Sequence, residues 1–392
     1  MLKHLFKLIW NKKKQHFLLM VEILFSFLIM FAVFTLAVYN YKNYQRPMGF
    51  DHENVWALSY YDKDRSGADK DSLALFYEMV KRTISHAPEV AAVSFVSNNS
   101  PFTMSMNNSV ITRNNKTAQV DHFSADDDYV GVLKPVLLKG RWYGRADDGA
   151  ALEPIVVNRS FETMFFPGED PVGKTIKVGD HDARIVGVVQ DMKDKGDYKP
   201  LGPGLYQRTT RSSYSWLSRM LIRIKPGAGA NFEGRLYKQV AGILQDATVE
   251  IEHLDEKRVV KNNITLIPLI VFGVIAGFLI LNVSLGLFGV LWYTISKRKA
   301  EIGLRRAVGA TGAGISRQVV SETLVLATIS LVVGLFFAVQ FPLLNVFFME
   351  ESVYYTAILL ALLFIYALVV VCAFYPGRQA AGIYPAVALH ED

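Results

Sequence analysis

Four long apolar runs divide the chain: Phe17–Tyr39, Ile264–Ile295, Val319–Phe348 and Val353–Tyr375. A helix needs about 20 consecutive apolar residues to cross a bilayer core, and each run is long enough, so four membrane spans are expected. Glu22 is the only charge in the first run. That run is too long for a signal peptide and lacks a small-x-small site with a polar start behind it, so it reads as an uncleaved anchor. Between the first two runs the pattern changes to that of a soluble domain. Short strands are expected at Val55–Ser59, Val90–Val96, Val132–Leu138, Glu153–Val157, Thr175–Val178, Ala183–Val189 and Met220–Ile224. Helical spacing of Leu73, Phe76, Tyr77, Val80 and Ile84 predicts a helix over Leu73–Ser85, and Phe232–Leu244 predicts another. The fold class is therefore a membrane protein of four transmembrane α-helices, with a large α+β extracytoplasmic domain inserted between the first and second. A small β-rich insert is expected in the middle of that domain.

The polar joints between the runs set the topology. Met1–Gln15 places Leu2, Leu5, Phe6, Ile9 and Trp10 at helical spacing among lysines, which predicts an amphipathic segment on the membrane surface. Of the 42 Lys and Arg residues, the twelve outside residues 42–261 fall in Lys3–Lys14, Lys297–Arg317 and Arg378. The positive-inside rule assigns those three places to the cytoplasm, and the acidic turn Met349–Ser352 to the outside. The expected divisions are 1–15 surface helix, 16–39 first span, 40–263 extracytoplasmic domain, 264–296 second span, 297–316 basic elbow, 317–348 third span, 353–375 fourth span and 376–392 tail. Within the elbow, Lys297, Glu301 and Arg305 stack opposite charges on one helical face, and Ile302 and Val308 add apolar contacts. Gly309 is placed to end that helix in a left-handed conformation and Thr311 to cap the next. The plainer alternative is a basic loop that only sets topology.

No catalytic constellation stands out. The run from Gly168 to Thr175 matches a phosphate-loop pattern, but no buried strand precedes it and strand-like alternation follows, so no phosphate site is expected. The histidines are scattered, Asp126–Asp128 lacks the remaining ligands of a cation loop, and Cys372 is alone in an apolar run, so no metal site is expected. The net charge of +6 needs no nucleic-acid partner, because the positive-inside bias accounts for it. Gly273 and Gly277, continued by Gly286 and Gly289, form a row of small residues expected to pack the second span against another span or another subunit.

Taken in order, the residues resemble the permease subunits of ABC transporters of the MacB/FtsX/LolE type. The resemblance is carried by Gly140-Arg141-Trp142, Val156-Val157-Asn158-Arg159, Phe165 to Ile176, Ile185 to Asp191, Leu285 to Val290, Arg298 to Ala310 and Tyr375 to Leu389. It departs mildly at Ala300 and Gly377. The resemblance implies that the basic elbow is a coupling helix seated in a groove of a separate ATPase. There Glu301 and Arg305 would fix the helix and offer charge, Ile302 and Leu304 would anchor it, Arg306 would join the contact, and Gly309 would make the turn. It also implies no cofactor on this chain, ATP and Mg²⁺ on the partner, an ABC ATPase dimer, and a second permease copy or paralogue. A periplasmic adaptor and an outer-membrane duct are further partners it allows, beside membrane lipids, in a bacterial inner membrane. The alternative is a mechanical regulator of a cell-wall hydrolase or sensor kinase, with no cargo.

Overall fold

The computed structural model describes residues 13–61, 69–244 and 247–383. Most of the expected surface segment 1–15, and the tail motif from Tyr384 onward, lie outside the described residues. The chain forms two compact units, Asn43–Thr265 and a membrane unit of Met1–Lys42 with Leu266–Asp392.

The first helix, α1 (Lys13–Gln45), continues past the expected boundary at Tyr39. The soluble unit then runs β1 (Val55–Tyr61), α2 (Lys70–Ser85), β2 (Val90–Val96), β3 (Asn108–Arg113), β4 (Lys116–Ala125), α3 (Tyr129–Leu133) and β5 (Leu137–Gly140). It continues with β6 (Glu153–Asn158), α4 (Arg159–Phe165), β7 (Thr175–Val178), β8 (His181–Val189), β9 (Gly204–Arg208), β10 (Arg219–Ile224), α5 (Ala230–Ile243) and β11 (Thr248–His253). Two expectations change. The strand expected at Val132–Leu138 is the end of α3 and the start of β5, because Lys134 takes a left-handed φ of 46° and Pro135 follows it. The expected insert is instead one half of a continuous sheet.

The eleven described strands form that sheet in the order β11-β1-β10-β2-β4-β9-β6-β8-β5, with β3 on β4 and β7 on β8. The halves join at one residue pair, Val96 with Ala125. In the first half, Trp56, Leu58, Phe95 and Ile222 face α2 and α5, which present Tyr77, Val80, Ile84, Leu236 and Val240. Val55, Ala57 and Leu221 alternate onto the opposite face and pack with Tyr129, Val132 and Tyr206. Both faces are covered, so these strands are apolar nearly throughout. In the second half, the parallel pair β6 and β8 packs Ile155, Val157, Ile185 and Val188 against Phe161 and Phe165 of α4.

The membrane unit contains α6 (Leu254–Lys297) beyond Leu266, then α7 (Lys299–Ala307), α8 (Gly312–Leu343) and α9 (Glu351–Ala381). The second span is thus the later part of a helix that begins at Leu254. The third and fourth spans pack closely through small residues: Ala327, Gly334 and Ala338 on α8, and Ala357 and Ala361 on α9, with Phe27 of α1 seated on Gly334. Lys42 pairs with Glu350 at 3.5 Å and donates to Ser352 Oγ at 2.5 Å, tying the end of α1 to the start of α9.

In the turn after β8, burial pushes the Asp194 carboxyl up to about 7, against the pull of nearby Lys195. The folded form therefore holds a proton that the unfolded chain releases near pH 4. Stability contributed by this group is fully present below pH 4 and is lost as pH rises through about 7. The unfolding midpoint of the soluble unit within the full chain should fall between pH 5 and pH 8. Asp194→Asn should flatten that segment of the profile; an unchanged profile in the variant would contradict the assignment.

Candidate functional site

The elbow between the second and third spans carries the densest described polar network in the membrane unit. Its helix α7 has Glu301 in the first turn and Arg305 and Arg306 in the last, the polarity its dipole favours. It ends in a Schellman turn, with Ala310 N–H donating to Arg305 O at 2.9 Å and Gly309 N–H to Arg306 O at 3.1 Å. Gly309 has a φ of 102°, which favours glycine. Thr311 Oγ1 then accepts from Gly314 N–H at 3.2 Å and caps α8.

A closed ring of side chains locks α7 to α8. Arg298 donates to Glu301 at 3.1 Å and to Glu322 at 2.8 Å. Arg305 donates to Glu301 at 2.6 Å and to Gln318 Oε1 at 2.8 Å, and Gln318 Nε2 donates to Glu322 at 2.9 Å. Glu301 and Arg305 are joined as expected, but the third ionic member is Arg298. Lys297 lies over the Tyr293 ring at 4.7 Å instead. Glu322 was missed by sequence reading because it sits inside an apolar run, where an isolated acid gave the only signal.

The apolar residues of the elbow face two ways. Ile302 is 6% exposed and packs with Ile315, Ala380, Ile295 and Val319, so it is part of the elbow's own core. Leu304 at 57% and Val308 at 83% exposed form the outer ridge, with Arg306 half-buried. The elbow residues are thus divided: Glu301, Ile302 and Arg305 hold the helix, and Leu304 and Val308 are exposed.

The small-residue row of the second span is divided as well. A Cβ on Gly286 would come 2.9 Å from Glu22 Oε2, so this glycine makes room for the α1 carboxylate. Gly273, Gly277 and Gly289 meet no side chain within 4 Å among the described residues. The most apolar stretch of α6 is only 6% buried, against 33% for each of the other spans. Asn282 and Gln340 donate back to Phe278 O at 2.8 Å and Phe336 O at 3.3 Å of their own helices.

The soluble unit's motifs are architectural. Lys174 pairs with Glu169, Arg113 joins at 3.0 Å, and β7 follows where a phosphate loop needs a helix. Asp126 and Asp128 are both held by Lys81, at 2.6 and 2.5 Å, and Asp127 by Arg208 at 2.7 Å. Asn158 Oδ1 accepts from Phe161 N–H at 2.9 Å and Gly204 N–H at 2.8 Å. A Cβ on Gly187 would come 2.1 Å from Arg141 O, and one on Gly140 2.3 Å from Val186 O. No group of three or more potential metal ligands occurs among the described residues.

A sheet domain strung between the first and second of four apolar helices, with a charged elbow after the second, defines a multi-pass membrane protein with an extracytoplasmic domain. A family model of the MacB-like periplasmic core domain matches residues 19–233, and one of the FtsX-like permease C-terminal matches residues 273–385. The chain belongs to this MacB/FtsX-like permease family. It is 26% identical over 267 residues to the macrolide export ATP-binding/permease protein MacB of Bartonella quintana, covering 65% of this chain and 40% of that protein. It is 24% identical over 288 residues to MacB of Escherichia coli, covering 68% and 42%. The chain thus spans about two fifths of the length of these relatives. Among solved structures it is similar to the periplasmic region of MacB from Actinobacillus actinomycetemcomitans, at 17% identity and TM-score 0.39, covering 57% of this chain and 98% of that one.

Glu322→Ala opens the ring and leaves Arg298 half-buried with fewer partners. Hydrogen exchange of the α7 amides should then rise about tenfold, the scale of a lost hydrogen bond to a charged group. Val308→Ala should leave it unchanged, and equal exchange in both variants would contradict the locking role.

Proposed function

We propose that this chain is the permease subunit of an ATP-driven ABC transporter, passing the motion of an ATPase to its extracytoplasmic domain. The observation that carries this reading is the elbow, a short helix locked by an ionic ring to the span that follows it, with its apolar ridge of Leu304 and Val308 left open. A helix held in this way moves as a unit with α8 when a partner pushes on it. The partner is an ABC ATPase dimer, which binds ATP and Mg²⁺; this chain binds neither. The basic elbow lies in the cytoplasm, as do both termini, and the membrane is the bacterial inner membrane. The open row of Gly273, Gly277 and Gly289 faces lipid and a second permease copy or paralogue. The word "export" in the relatives' names supports export as the direction of work, with an adaptor and an outer-membrane duct as partners of the extracytoplasmic domain.

Leu304→Asp with Val308→Asp places two carboxylates on the ridge while leaving the ring intact. Association with the ATPase should weaken by about 2–4 kcal/mol, the scale of an interface hot spot, read as loss of the ATPase in a detergent pull-down. Retention of the ATPase, with the chain inserted in the membrane, would contradict the docking face.

A further inference from the structure

The loop after β8 holds two helices at once. Asp197 is 3% exposed. Its carboxylate accepts from Arg258 Nε at 3.1 Å, Arg258 Nη2 at 2.9 Å and Asn262 Nδ2 at 2.7 Å. Its own N–H donates to Asn262 Oδ1 at 2.9 Å. Arg258 Nη1 also reaches His52 Nε2 at 2.9 Å, and His52 Nδ1 lies 2.7 Å from Asp255. Asp255, Arg258 and Asn262 are three and four residues apart, so one face of the start of α6 is engaged. Gly196 permits the approach, since with φ at 99° a Cβ there would come 2.9 Å from Asn262 Oδ1.

The same loop grips the end of α1. Tyr198 O accepts from Asn43 Nδ2 at 3.1 Å, and the Tyr198 ring stacks on Tyr44 with centroids 5.6 Å apart. Lys193 Nζ donates to Tyr44 O at 2.9 Å, and Lys193 N–H to Met48 O at 3.0 Å. The root of the loop is fixed in turn, because the Asp191 carboxylate accepts from the N–H and hydroxyl of Ser160, both at 2.8 Å, at the start of α4.

We propose that the loop 191–198 is a clip fastening the soluble unit to the ends of both α1 and α6, with Asp197 the positioning residue through which movement of α6 enters the sheet. The proposal rests on the mechanical reading given above. The polar character of the contact is what gives it direction. An apolar contact tolerates sliding, whereas a buried carboxylate with several directed donors fixes one register, and a helix displaced by a single residue, about 1.5 Å, breaks that set together.

The test uses the full chain with its copurifying ATPase in lipid nanodiscs, following hydrogen exchange with and without ATP and vanadate. Asp197→Asn and Arg258→Gln should keep ATP hydrolysis and the nucleotide response of α7, but lose the response of β1 and β10. The exchanged pair Asp197→Arg with Arg258→Asp should restore part of it. A response of wild-type size in β1 and β10 of both single variants overturns the clip. Exchange raised throughout β1, β2 and β10 of Arg258→Gln at rest assigns the cluster to stability and also overturns it. If the wild-type soluble unit shows no nucleotide response, the mechanical reading itself fails and takes the clip with it.

Discussion

A carboxylate near the edge of a bilayer is costly unless a cation meets it, and Glu322, in an apolar helix, is met by Arg298 at 2.8 Å. That requirement shapes the elbow. Arg298 is shared with Glu301, Glu301 with Arg305, and Arg305 returns through Gln318 to Glu322, so α7 is held to α8 by a ring with no free end. Ile302 seals the inner side, and Leu304 and Val308 are left outside. The same ring that satisfies a costly acid thereby fixes the posture of a surface helix.

The soluble unit follows a different logic, in which backbones approach so closely that side chains are excluded. Gly140 and Gly187 let the end of β5 and the residue after it lie tightly alongside β8, and Asn158 bridges α4 and β9. Asp191 ties the end of β8 to α4. Residues that resemble chemical motifs in the sequence are joints of the sheet. Lys174, paired with Glu169, is the plainest example.

Much of this was legible in the sequence because long apolar runs, basic joints and helix-ending signals are local. The four spans, the turn at Gly309 and the cap at Thr311 all follow from residues close in the chain. The hairpin β3–β4 and strand β9 were not legible. Their inward residues, such as Ile111, Val120 and Leu205, alternate with polar ones in segments interrupted by Asn and Gly, and only pairing across distant sequence defines them. Nor did the sequence say which small residues pack. The regular glycine row on α6 is mostly open, while Gly334 and the alanines of α8 and α9, at less conspicuous spacing, form the contact. The division of the elbow residues was hidden for a similar reason, since periodicity places Ile302 and Leu304 on a helix without saying what lies against either.

The glycine row of α6 and the elbow ridge of Leu304 and Val308 are the two exposed surfaces of the membrane unit on which the proposed function turns. The most direct measurement is a mild-detergent pull-down of the tagged chain from its native host, with mass spectrometry of the tagged polypeptide and everything bound to it. The account predicts that an ABC ATPase comes down with the chain. A chain that arrives inserted and intact with no ATPase at all would contradict it.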